Sequence, residues 1–154
     1  MLTALMLASL AQAAPSSSYT YLDDCEFEAD GSAQDEDWVR YACEGYAGTR
    51  YWLTYHDSRY MNLSFGTRGG ESAIYLLADR NPRWPLEWRH RDARPYAVIA
   101  RMVRPDLNDL SNTVTSLFVY GLRASGSCIL GDTSSNEEAR RIADRYGQTG
   151  QCPR

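Results

Sequence analysis

The sequence predicts an α+β domain that is mainly β, with an antiparallel sheet or partly closed barrel of roughly seven to nine short strands and one C-terminal helix. Apolar residues alternate with polar ones along short runs, as at Met61, Leu63 and Phe65, which is the period of a strand with one buried face. Glycine, proline and polar turn residues separate these runs. The helical period appears only near the end of the chain.

The runs with strand character are residues 19–27, 38–46, 50–56, 60–65, 73–78, 86–91, 96–103, 115–122 and 127–130. Asp57, Ser58 and Arg59 separate two of these runs and predict a hairpin there. Pro105 closes the seventh run, and an irregular polar stretch over residues 107–113 follows it.

A helix is predicted over about residues 135–146. Four apolar residues fall at i, i+3, i+4 and i+7 and define one buried face: Ala139, Ile142, Ala143 and Tyr146. Gly147 is expected to end the helix, because glycine is common just past a helix C-terminus. Arg140 is expected to pair with Asp144 across one turn.

The start of this helix has two candidate capping boxes, Ser134 with Glu137 and Ser135 with Glu138. Each places a serine three residues before a glutamate, so that both side chains accept hydrogen bonds from backbone N–H groups of the first turn. The sequence alone leaves the choice between them open.

Residues 1–13 have the outline of a secretory signal peptide. The apolar run over residues 2–10 precedes Ala11, Gln12 and Ala13, a small-x-small cleavage site. A buried N-terminal helix is the alternative. We expect residues 14–154 to be a single disulfide-containing globular domain that is periplasmic or secreted. No apolar stretch approaches the roughly 20 residues that span a bilayer, so no transmembrane segment is predicted.

The charge of the chain argues against a nucleic-acid partner. The 154 residues have a net charge of -4, whereas affinity for a phosphate backbone needs clustered positive charge. The basic residues are all arginine, with no lysine. We attribute this to codon bias in a GC-rich genome rather than to a role of the guanidinium group.

The four cysteines allow three disulfide connectivities, and a zinc site is the alternative. The pairing that we favour is local, Cys25 with Cys43 and Cys128 with Cys152, each closing a loop of roughly twenty residues. A zinc site is disfavoured because the chain has no C-x-x-C motif and only two histidines. The sequence therefore predicts structural disulfides and no metal.

Acidic residues concentrate between Glu26 and Asp37. Their spacing partly matches a calcium-binding loop, but that loop begins with Asp and ends with Glu, and it lies between helices rather than strands. We therefore predict a solvated hairpin loop. Its Asp35, Glu36 and Asp37 are candidates for docking a basic partner protein.

A second candidate surface combines arginines with tryptophans near the middle of the chain. Its candidate partner-binding residues are Trp84, Trp88, Arg89 and Arg91. Guanidinium groups and aromatic rings together can hold an anionic glycan. The alternative, which we favour, is that these arginines pair with acidic residues inside the fold.

Catalytic motifs are missing from the sequence. His56, Asp57 and Ser58 have the residue types of a triad, but adjacent strand residues point to opposite faces and cannot form a relay. The nucleophile elbow, the zinc-protease motif and the phosphate-binding loop do not occur. No catalytic residue and no cofactor is therefore predicted. Two carboxylates that hydrolyse cell-wall material are the alternative, because acidic residues are plentiful.

Several short motifs occur in a fixed order along the chain. They are Cys43-Glu44-Gly45-Tyr46, Leu86-Glu87-Trp88-Arg89, the run from Pro95 to Arg101, and a C-terminal block of Gly126-Ser127-Cys128, Asn136, Ala139-Arg140, Ala143-Asp144 and Cys152. In this order they resemble a group of small exported bacterial proteins of uncharacterised function. The resemblance implies a disulfide-bearing exported domain and transfers no functional residue.

The sequence most favours a non-enzymatic binding or inhibitor-like module of the cell envelope. Its expected partner is an envelope protein or an anionic glycan. A small cell-wall-directed hydrolase is the alternative.

Overall fold

The protein, analysed as a computed structural model, is described over residues 13–22, 25–66, 76–77 and 83–153. Its elements are β1 (Ser16–Thr20), β2 (Cys25–Asp30), β3 (Trp38–Glu44), β4 (Arg50–His56), β5 (Tyr60–Phe65), β6 (Leu76–Leu77), β7 (Leu86–Arg91), β8 (Arg94–Pro105), β9 (Thr113–Arg123), β10 (Gly126–Thr133) and α1 (Asn136–Thr149). Nine strands of five or more residues and one helix in these ranges confirm the predicted mainly β class. The signal peptide prediction lies outside the described residues, except for Ala13. The strand predicted over residues 73–78 also lies outside the described residues, except for the two-residue β6.

All strand pairs are antiparallel and form two open sheets. One sheet runs β1-β7-β8-β9-β10, and the other runs β2-β3-β4-β5-β6. The twelve-residue β8 connects them, because Val103 near its end pairs with Leu77 of β6. The first predicted strand, residues 19–27, is therefore wrong as a single element. The chain leaves β1 of one sheet and enters β2 of the other within it.

The core lies between the two sheets and is rich in aromatic rings. Phe65 of β5 contacts Tyr120 of β9 and Trp88 of β7, with ring centroids 5.1 and 5.8 Å apart. The alternation at Met61 and Leu63 is confirmed, because both side chains are buried in this core. Burial of such large apolar side chains is the main stabilising contribution to a fold of this size.

The helix covers the opposite face of the β7–β10 sheet. The predicted helical face is confirmed, because Ala139, Ala143 and Tyr146 pack on the sheet with Ile142 beside them. Tyr146 lies against Gly121, where an added Cβ would stand 2.7 Å from the ring. The absence of a side chain at this glycine allows the close approach of helix and sheet.

The helix ends differ partly from prediction. Ser135 is the N-cap and accepts a hydrogen bond from the backbone N–H of Glu138, which selects the second of the two candidate boxes. Gly147 does not end the helix, which continues to Thr149 and stops at Gly150 with φ +63°. Gly147 instead faces the ring of Tyr96, which an added Cβ would meet at 2.6 Å.

Both predicted disulfides are confirmed. Cys25 on β2 is bonded to Cys43 on β3, and Cys128 on β10 is bonded to Cys152 beyond the helix. Disulfides of this kind are typical of oxidising compartments outside the cytoplasm. In the described ranges no helix has the length and apolar character needed to cross a membrane.

Candidate functional site

The loop between β2 and β3, residues 31–37, is called here the acidic loop. Its backbone is folded on itself by hydrogen bonds from Gln34 N–H and Glu36 N–H to the carbonyl of Gly31, at 2.9 and 3.1 Å. The carboxylate of Asp30, the last residue of β2, accepts hydrogen bonds from the backbone N–H and the hydroxyl of Ser32. These hydrogen bonds hold the pKa of Asp30 below its usual range.

The base of the acidic loop is fixed by Trp38. Gly31 N–H donates to the carbonyl of Trp38 at 2.9 Å, and an added Cβ on Gly31 would stand 2.6 Å from the indole Nε1. The same Nε1–H donates to Glu36 Oε2 at 2.8 Å. The guanidinium of Arg40 lies 5.1 Å from the indole centroid. The loop therefore has a defined conformation before any partner binds.

The three predicted loop carboxylates are exposed together. Asp35, Glu36 and Asp37 are consecutive and open to solvent. The carbonyl of Asp37 accepts a hydrogen bond from Asp57 N–H at 2.9 Å, which joins the loop to the turn between β4 and β5. Asp57 itself forms an ion pair with Arg59. The structure thus places a concentrated negative charge at one end of the β2–β5 sheet.

An apolar groove lies beside this acidic end, on the core-facing side of β2, β3 and β4. We call it the aromatic groove. Its volume is about 440 Å³, and its lining residues are Leu22, Cys25, Val39, Tyr41, Leu53, Tyr55 and Ser58. Phe27 borders it and is 61% exposed, with its ring edge-on to Tyr41 at 6.3 Å. Tyr41 in turn contacts Tyr55 edge-on at 6.1 Å.

The glycan surface predicted around Trp88 is not assembled. Trp88 lies on β7, which pairs with β1 on one side and β8 on the other. The side chain of Trp88 enters the core and is 0% exposed, and its Nε1–H donates a hydrogen bond to the hydroxyl of Thr20. Arg89 faces the helix and is 7% exposed. Neither side chain can reach a partner from these positions. The alternative prediction, that these arginines pair with acidic residues inside the fold, holds for Arg89.

Arg89 belongs to a polar network between β7 and the helix. Its guanidinium donates to both carboxylate oxygens of Asp144, at 2.9 and 2.7 Å. Tyr96 O–H donates to the same carboxylate at 2.6 Å. Burial opposes ionisation of Asp144, but these hydrogen bonds and the nearby arginine charges outweigh it and lower its pKa. Asp144 is therefore a stable carboxylate rather than a proton donor.

Arg140 does not pair with Asp144 as predicted across one helical turn. It binds Glu87 on β7 instead, at 2.7 and 3.2 Å, and its pKa is raised mainly by that hydrogen bond. Glu87 is 7% exposed and also accepts a hydrogen bond from Ser17. A mostly buried carboxylate attracts a guanidinium more strongly than one at the surface, because water screens it less.

The two remaining candidates of the glycan surface lie apart. Trp84 lines a pocket of about 170 Å³ with Tyr19, Arg101 and Arg140, and the Arg101 guanidinium is 5.9 Å from the Trp84 ring centroid. Arg91 donates to the carbonyl of Gly147 at 3.0 Å and lies over the ring of Tyr96. Arg91 therefore contributes to the attachment of the helix, whereas Trp84 borders an open pocket.

His56, Asp57 and Ser58 do not form a catalytic triad. His56 ends β4, and Asp57 and Ser58 form the following turn with φ +49° at both positions. His90 stacks on Tyr46 with centroids 4.6 Å apart and shares a hydrogen bond with Ser18.

Among the carboxyl groups described, each resolved pKa shift is downward, at Asp30, Asp109 and Asp144. A general acid for glycoside hydrolysis needs the opposite shift.

Sequence reasoning missed the aromatic groove. Phe27, Tyr41 and Tyr55 come from three strands, and the register Phe27↔Tyr41 and Val39↔Tyr55 brings them together. The available signal was the single phenylalanine among acidic residues in the run Cys25–Asp30. An exposed aromatic residue in such a strand indicates a contact surface.

Comparisons with protein-family models, with curated proteins and with solved structures gave no match to this chain.

Proposed function

We propose that this chain is a non-enzymatic protein-binding module, periplasmic or secreted, whose acidic loop binds a basic partner protein. The observation that carries the proposal is the exposure of three consecutive carboxylates on a loop with a fixed backbone, next to an open aromatic groove. Electrostatic attraction steers a basic partner to such a surface, and the groove supplies apolar contact area. The two disulfides support an oxidising compartment.

The fixed backbone of the acidic loop favours binding. A loop that is already ordered loses less conformational freedom on association than a mobile one. Here Gly31 and Trp38 hold the loop base, and Asp37 is joined to the neighbouring turn through Asp57. An inhibitor-like module, which presents a rigid loop to a basic enzyme, is one form of this function.

An anionic glycan is supported less well as the partner. Of the predicted glycan-binding residues, Trp88 and Arg89 are buried and Arg91 is bound to the helix end. The pocket beside Trp84 is small, about 170 Å³, and its Arg140 is already bound to Glu87. The hydrolase alternative is also supported less well, because Glu87 and Asp144 are each held by an arginine.

The test is a calorimetric titration of the oxidised full chain with an arginine-rich peptide, carried out at about 50 and 200 mM salt. In the loop variant, Asp35→Asn, Glu36→Gln and Asp37→Asn are combined. We expect it to bind at least about tenfold more weakly than the parent chain at low salt, and the difference to shrink at high salt.

A matched control removes the same charge from exposed positions elsewhere. It combines Asp92→Asn, Asp132→Asn and Glu137→Gln, which lie outside the acidic loop. We expect this control to keep most of the parent affinity. Equal losses in both variants would show that net charge alone attracts the peptide, and no binding by the parent chain would contradict the proposed function.

A further inference from the structure

The strand β2 lies at the edge of its sheet. It pairs with β3 on one side, and none of the strands in the described ranges pairs with its other side. An unpaired strand edge presents backbone N–H and C=O groups that can accept an additional strand. The edge of β2 is continuous with the acidic loop, which begins where this strand ends.

The register of β2 shows which backbone groups face this open edge. Cys25 and Cys43 are directly opposite each other with their Cα atoms 4.3 Å apart, the spacing of a pair without mutual backbone hydrogen bonds. Such pairs alternate with hydrogen-bonded ones along antiparallel strands. Phe27, two residues further and opposite Tyr41, is therefore of the same kind, and its N–H and C=O point away from β3 toward the open edge. The register shifts between Phe27 and Ala29, so this alternation applies to the first half of β2, Cys25 to Phe27.

The side chains of β2 then determine the pattern that a partner strand needs. Phe27 lies on the side of the aromatic groove, and Glu26 lies on the other side and is exposed. A residue paired with Phe27 would place its side chain on the groove side, and its neighbours would lie on the side of Glu26. The groove side favours an apolar residue and the other side a basic one.

We infer that the basic partner contributes an extended segment of alternating apolar and basic residues, which binds as an additional strand along the open edge of β2. This inference rests on the proposed function and specifies how the partner binds. Charge complementarity identifies the occupant, because Glu26 stands on the edge and the exposed acidic loop follows it. A second copy of this chain is disfavoured, since edge-to-edge pairing would bring two acidic edges together.

The test uses the oxidised full chain and a capped eight-residue peptide in which arginine alternates with leucine or valine. A second peptide has the same composition with its arginines grouped at one end. We expect the alternating peptide to bind about tenfold more tightly, and only this peptide to slow hydrogen exchange at the Phe27 amide. This readout needs no variant.

Two variants at Phe27 separate the backbone from the ring. Phe27→Ala removes the ring and keeps the N–H, whereas Phe27→Pro also removes an N–H that β3 does not use. We expect the proline variant to bind the alternating peptide about tenfold more weakly than the alanine variant. If the unfolding midpoint of the proline variant equals that of the alanine variant within experimental error, the edge of β2 itself is intact.

The outcomes distinguish the inference from the proposed function. Equal affinity for both peptides, with an unchanged exchange rate at Phe27, would overturn strand addition and leave the acidic loop as the binding site. A dimer of the free chain with a protected Phe27 amide would overturn it as well, because a second copy would then occupy the edge. If neither peptide binds, the proposed function fails, and the inference fails with it.

Discussion

Arg89 and Asp144 are joined by two hydrogen bonds, from Nε to Oδ1 at 2.9 Å and from Nη2 to Oδ2 at 2.7 Å, and this pair fastens the helix to β7. Arg89 is almost fully buried, whereas Asp144 keeps a partly exposed side chain. Removing one partner of such a pair leaves the other charge without compensation in a poorly solvated place. The pair therefore determines how firmly the helix is held.

Asp144→Asn is expected to destabilise the fold by about 2–3 kcal/mol, because the buried Arg89 charge loses its two-bonded partner and keeps only the more distant carboxylate of Glu87, at 4.0 Å. Urea unfolding of the oxidised protein measures this loss. The pKa of Asp144 is lowered in the fold, so the contribution of this carboxylate is present above about pH 4 and is lost as the pH falls further. The variant should therefore lose less stability on acidification than the parent chain.

Arg141→Gln is the control for that variant. Arg141 is on the exposed side of the same helix and pairs with Glu138 at the surface. Exposed pairs of this kind contribute little, so a loss within about 0.5 kcal/mol is expected. A loss as large as that of Asp144→Asn would mean that any charge change on the helix has this effect.

Tyr96 should ionise unusually late. Burial, followed by its hydrogen bond to the Asp144 carboxylate and the charge of that group, raises the pKa of Tyr96 to about 12. The fold thus favours the neutral phenol, and this stabilisation is complete below about pH 10 and lost as the pH rises toward 12. The difference in absorbance at ~295 nm between the parent and Tyr96→Phe isolates the ionisation of this group. A transition near pH 10 would contradict the buried hydrogen bond.

Gly147→Ala is expected to destabilise the protein by about 1–3 kcal/mol, although alanine favours helices more than glycine does. The added Cβ would stand 2.6 Å from the ring of Tyr96, so the helix or the ring must move. Thermal unfolding measures the effect. Gln148→Ala, at an exposed position of the same turn, should be neutral or slightly stabilising. Stabilisation by Gly147→Ala would contradict the close packing.

The parts of the fold that depend on neighbouring residues could be predicted from the sequence. The apolar face of the helix follows from a local period, and the hairpin at Asp57 follows from a local turn signal. The Cys25–Cys43 disulfide joins strands that are consecutive in the chain. In each case the residues concerned are separated by a few positions or by one loop. Predicting these features therefore needs no knowledge of the tertiary structure.

The relations that were missed connect distant parts of the chain. Trp88 lies among arginines, which suggested a surface, but β7 is covered by the core on one face and by the helix on the other. Arg140 binds Glu87, a residue of β7 rather than of its own helix. The aromatic groove likewise depends on strand register. Such contacts follow from topology, which a single sequence does not specify.

The most direct test of the central claim is where a basic ligand binds. We propose nuclear magnetic resonance of the oxidised, isotope-labelled chain during addition of an arginine-rich peptide. The account predicts that the largest amide shift changes occur in the acidic loop at Asp35, Glu36 and Asp37 and along β2. Changes centred on Trp84 and the N-terminus of the helix, with the acidic loop unaffected, would contradict it.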